Sequence, residues 1–108
     1  MKFSTLIAPI MLSLSSWGIA ISLADTPPLF SGGDGSSVAA AVVIHATREA
    51  DSIKAEHIWL RESHPGGSIT KQELITSGRH MYDALAVSAA DGTTHTYYFD
   101  ITESFGKF

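Results

Sequence analysis

Read as apolar and polar positions, the chain changes rhythm several times. Leu6 to Leu23 is an almost unbroken apolar run without a charge. Residues 25–37, Asp-Thr-Pro-Pro-Leu-Phe-Ser-Gly-Gly-Asp-Gly-Ser-Ser, are nearly all turn formers and predict a flexible leader, with Leu29 and Phe30 able to reach a core. Val38 to Ile44 is a short apolar run. Its Val-Val-Ile end favours a buried strand, while its alanines leave a helical start open.

The next stretch has a different period. No Gly or Pro falls between Arg48 and Ser63, and Ala50, Ile53, His57 and Leu60 recur at helical spacing. They predict a core-facing stripe with Trp59 at its border. Thr47 is placed to cap the helix, Glu49 and Asp51 suit the positive end of its dipole, and His64-Pro65-Gly66-Gly67 stops it.

Strand patterns follow. Ile69 to Thr76 is β-compatible but alternates poorly, which predicts an edge or partly exposed strand. Ser77-Gly78-Arg79 is a turn. His80 to Ala89 puts Met81, Leu85 and Val87 on one face. Asp91-Gly92 marks a hairpin, and Thr94 to Thr102 returns with Tyr97, Phe99 and Ile101 opposite Thr96, Tyr98 and Asp100. The expected class is α+β, one helix packed on a three- to four-stranded antiparallel sheet (β-α-β-β-β), in a single small domain over residues 38–108.

The apolar opening changes how the rest is read. Lys2, the uncharged run and the small residues Ser22 and Ala24 around Leu23 predict a cleavable secretory signal peptide over residues 1–24, hence a periplasmic or secreted product. Pro9, Gly18 and the serines argue against a permanent membrane anchor, and without cysteine there is no lipid attachment site. Beyond the signal, six basic residues face eleven acids, a net charge of −5. That argues against nucleic acid or an anionic membrane as partner. The missing cysteines also exclude disulfides, thiol catalysis and Cys-based metal sites.

Gly33-Asp-Gly-Ser-Ser37, Ala41-Val-Val-Ile44, Ala55-Glu-His-Ile-Trp-Leu60, His64-Pro-Gly66, Tyr82-Asp83, Tyr98-Phe-Asp-Ile-Thr102 and Phe105-Gly-Lys107 carry a family likeness in spacing as well as identity. Together they resemble a group of small exported proteins of Gram-negative bacteria whose function is not established. The resemblance spans nearly all of the chain beyond the signal and implies an intact domain, but it carries no catalytic residues over. At the level of fold alone, a helix over an antiparallel meander is similar to cystatin-like and PepSY-like modules, some of which bind proteases.

Candidate chemistry is sparse. His57 and His64 share a helix side, and His80 and Asp83 could approach them from the sheet as a metal set. However, seven helical residues separate His57 from His64 by roughly 10 Å, too far to share an ion on a straight helix. Gly32 to Ser37 lacks the lysine of a phosphate loop. Ser36 or Ser37 with His45 and Asp83 or Asp100 is an arithmetically available nucleophile set without a nucleophile-elbow sequence. Tyr98, Phe105 and Phe108 are aromatics left over from the core, suited to docking a partner. The expectation is a non-enzymatic binding or protein-interaction module without cofactor, whose partner is another exported protein or a second copy. A histidine metal-binding protein and a minimal hydrolase are the alternatives.

Overall fold

The computed structural model describes residues 28–108, so the expected signal peptide over residues 1–24 and the first residues of the expected leader lie outside the described residues. Five strands and one helix follow in order: β1 (Phe30–Gly32), β2 (Val42–Ile44), α1 (Glu49–Ser63), β3 (Ser68–Ser77), β4 (His80–Ser88) and β5 (Thr94–Asp100). The protein is α+β, as its patterning implies. The sheet corrects the finer expectation of three to four antiparallel strands: it is five-stranded and mixed, in the order β1-β2-β5-β4-β3, with β2 parallel to β5.

The reason lies in range. The β3-β4-β5 meander is specified by local turns. Gly78, at φ 61°, lets the chain reverse between Ser77 and His80, and Thr93 bonds back to the Asp91 side chain in the next turn. The pairing of β2 with β5 joins residues more than fifty apart, which no local pattern encodes. β1 falls inside the stretch assigned to a leader: Phe30 pairs with Ile44 and packs against the core. The loop from Gly33 to Ala41 then runs beside β5, where the Tyr98 amide donates to the Gly35 carbonyl. Gly35 is buried at φ 82°, and a Cβ there would press on Val42 at 3.2 Å.

The core sits between α1 and one sheet face. Val42, Ile44, Leu85, Val87, Phe99 and Ile101 supply the sheet side, and Ala55 and Leu60 supply the helix side. Met81 and Tyr97 pack against this core as the strand alternation requires. Phe99 is fully buried, which by area is worth about 2–3 kcal/mol. Trp59 closes the carboxyl-terminal end of the helix, its ring 5.4 Å from Phe99 and 5.7 Å from Tyr97.

The helix corrects the sequence twice. Its N-cap is Arg48, with no side-chain cap, so the Thr47 hydroxyl does not serve. Its buried residues are Ser52, Ala55, Glu56 and Leu60. Of the expected stripe Leu60 is in the core, with Trp59 packed beside it, but Ala50 and His57 are exposed and Ile53 is 46 % exposed, so the buried face is rotated from the expected one. The helix therefore buries a serine and a glutamate while an isoleucine faces out.

Candidate functional site

Ser52 and Glu56 are one turn apart, so burying one face of α1 buries both. Opposite them Asp83 projects from the inner face of β4, 2 % exposed, among the alternating residues that otherwise form the core. Gln72 of β3 reaches it from the neighbouring strand, donating from Nε2 to both carboxylate oxygens at 2.9 and 2.8 Å. Glu56 is hydrogen-bonded to the same carboxylate.

Burial, then this hydrogen bond, then the Asp83 charge push the Glu56 carboxyl up from 4.5 to about 9. At neutral pH it is protonated, an acid held neutral beside the Asp83 carboxyl. The Ser52 hydroxyl is fully buried beside them and has no hydrogen-bond partner among the described residues. A buried hydroxyl left unpaired is destabilising by roughly 1–3 kcal/mol.

These groups floor a pocket of about 170 Å³ between α1 and the β3–β4 edge. Its walls are apolar: Ile53, Leu74, Ile101 and Phe105. Glu49 sits at the rim, where its carboxylate accepts the Gly106 amide at 3.1 Å and tethers the carboxyl-terminal turn to the helix. Leu74 is 55 % and Phe105 37 % exposed, so the rim is an apolar patch around an acidic floor. Phe108 lines a neighbouring hollow that shares Glu49 and Ile53 with this one.

The sequence-derived site residues are scattered. His57 and His64 both line an open hollow of about 300 Å³ at the far end of the helix. There His64 stacks on Tyr97 at 4.4 Å and its Nδ1 meets the Tyr97 hydroxyl at 3.3 Å. His80 is on the outer sheet face, 2.9 Å from Asp100. Asp83 is three strand residues further on, hence on the inner face. The four proposed metal ligands therefore occupy three places, and among the described residues no group of three or more such side chains is arranged to hold an ion. Of the docking aromatics, Phe105 lines the acid pocket and Phe108 the hollow beside it. Tyr98 lies half-buried on the outer face, opposite Ala84.

Sequence reasoning missed Glu56, Ser52 and Gln72. The signal was there in part: Ser52 and Glu56 fall on the face that also contains Ala55, Trp59 and Leu60. A second arrangement was also missed. Ser31 Oγ lies 2.7 Å from His45 Nε2, and His45 Nδ1 lies 2.9 Å from Glu103. His45 thus has neither Ser36, Ser37, Asp83 nor Asp100 as its partner. The Ser31–His45–Glu103 chain has the order of nucleophile, base and orienting acid, but it lies on the exposed outer surface beside a three-residue strand.

The fold and pocket define a small α+β domain with a single helix among the described residues. The chain matches no family model, no curated protein and no solved structure. Among the described residues, no helix is long and apolar enough to cross a membrane.

Proposed function

We propose that the chain is a small exported, non-enzymatic interaction module that captures an extended segment of another exported protein along the free edge of β3. The supporting observation is β3 itself. It is the longest strand, at ten residues, yet all its side chains but that of Ile75 are exposed, and β4 is its sole neighbour among the described residues. A long edge strand with open backbone groups is a template for strand addition. Ser77 and His80 flank a two-residue turn and so form a hydrogen-bonded pair. By alternation, the amides of Thr76, Leu74 and Gln72 point to the open edge. The register shift between Ile69 and Lys71 leaves the regular segment at 71–77, next to the apolar rim of the acid pocket. The signal-like residues 1–24 and the resemblance to small exported proteins support export.

A photo-crosslinking side chain at Leu74, expressed in the native host, tests this. It should trap one defined partner, and Thr76→Pro should abolish capture while leaving the circular dichroism spectrum intact, because that amide makes no ladder bond. Capture unaffected by Thr76→Pro would overturn the edge reading. Export predicts that the protein from the periplasmic or secreted fraction begins at Asp25 on amino-terminal sequencing.

The Ser31–His45–Glu103 chain favours a second reading, a minimal hydrolase. It is tested with p-nitrophenyl acetate: turnover abolished by Ser31→Ala would displace the binding module as the leading reading.

A further inference from the structure

From the pocket beneath α1 we infer a binding site for an alkylammonium group, supplied by a lysine side chain of the segment docked on β3. The inference rests on the strand-capture reading for the source of that lysine, and on the pocket alone for its chemistry.

The floor presents Asp83 and Glu56, and the walls present Ile53, Leu74, Ile101 and Phe105. An apolar sleeve over an acidic floor complements a side chain with a methylene stem and a cationic tip. The buried Ser52 hydroxyl offers the tip an acceptor that nothing in the fold uses. The volume of about 170 Å³ suits such a side chain rather than a larger ligand. Position names the source. Gln72 and Leu74 line the pocket from the edge strand, and their side chains face the helix side of the sheet. In a strand paired with β3, every second side chain faces that same side, so one of them arrives at the pocket mouth.

The charges facing Glu56 are few. Glu49 shares its helix, Asp83 comes from β4, β3 contributes the neutral Gln72, and the carboxyl-terminal segment contributes only Ile101 and Phe105. Among the described residues no basic side chain lines the pocket. An entering ammonium would stabilise the ionised form of Glu56, so binding exchanges the Glu56 proton for the cation and strengthens as pH rises from 6 towards 9.

The experiment is calorimetry on the purified protein with a seven-residue peptide alternating Thr and Val and carrying Lys at its centre. The same peptide with norleucine in place of Lys, and n-butylammonium alone, form the other arms. The inference expects the Lys peptide to bind at least about tenfold more tightly than the norleucine peptide at pH 8. It also expects proton release on binding, read from buffers of different ionisation enthalpy, and loss of the preference in Asp83→Asn. Equal binding of the two peptides would overturn the lysine site and leave strand capture standing. Binding of n-butylammonium without either peptide would overturn the strand as the source and retain the pocket chemistry. Binding of none of the three would overturn both. The peptide comparison needs no altered protein, so it decides the matter even if Asp83→Asn fails to fold.

Discussion

Glu56→Gln is the substitution that most directly tests the buried acid pair. The wild-type carboxyl moves from 4.5 in the unfolded chain to about 9 in the fold. A group whose folded value is raised contributes fully below the unfolded value and loses that contribution as pH climbs to the folded value. The window is therefore pH 4.5 to about 9, and stability falls with pH throughout it. At about 1.4 kcal/mol for each pH unit, the loss at pH 7 is on the order of 3 kcal/mol. Glutamine keeps the shape, cannot ionise, and still offers an N–H to Asp83. Any geometric misfit is an offset independent of pH, so the slope of the difference is the quantity to read. Urea unfolding of both proteins from pH 5 to pH 9 should show Glu56→Gln gaining on wild type steadily, the other titrating groups cancelling in the difference. A flat difference across that range would mean that Glu56 ionises as an ordinary surface acid, and the account of the pocket floor would fail with it.

Three further outcomes follow from the packing and the outer face. Phe99→Ala should lower unfolding free energy by about 3–5 kcal/mol in the same urea assay, because the ring is fully buried and meets Trp59 edge-on. Gly35→Ala should cost about 1–3 kcal/mol and lower the thermal midpoint, since φ 82° and the 3.2 Å approach to Val42 both oppose a Cβ. At Asp100, burial raises the carboxyl, but hydrogen bonds from Thr102 and His80 outweigh it and hold the group below its ordinary 3.8. Its contribution is present above that value and lost as pH falls through the lowered one, so Asp100→Asn should flatten the acid limb of a pH–stability curve measured from pH 5 down to pH 2.

The meander was legible in the sequence because its determinants are local. Alternation along His80–Ser88 and Thr94–Asp100, and glycine at the reversals, specify register and inner face without reference to anything distant. The extra strand and the parallel pair were not. Phe30–Gly32 has three residues and a glycine-rich sequel, so nothing local separates it from a loop, and its partner Val42–Ile44 lies across the intervening turn. The Ser31–His45–Glu103 chain was hidden for the same reason, since it depends on β1 lying beside β2 and on where the chain turns after β5. Asp83 was singled out, but for a metal set with His80, its opposite-face neighbour. Its actual companions come from α1 and β3.

The rotation of α1 carries the most information, because it runs against the simplest rule. A helix that can turn either Ala50 and Ile53 or Ser52 and Glu56 towards the core would ordinarily turn the former inward. Here Ala55, Trp59 and Leu60 reach the core only if Ser52 and Glu56 go with them, and Asp83 has no apolar reason to be on the inner face of β4. Replacing a buried ionic group with apolar side chains of similar volume is often neutral or stabilising, so three polar residues retained together, one of them without a partner, are not explained by stability. Conflicts between local pattern and fold concentrate at functional sites. The conflict in this chain converges on one pocket, and that pocket opens beside the one long strand edge left free among the described residues. A stabilised triple variant, Ser52→Ala with Glu56→Gln and Asp83→Asn, that folds more firmly yet loses its partner would separate the two demands. The same variant retaining its partner would place the binding function elsewhere on the molecule.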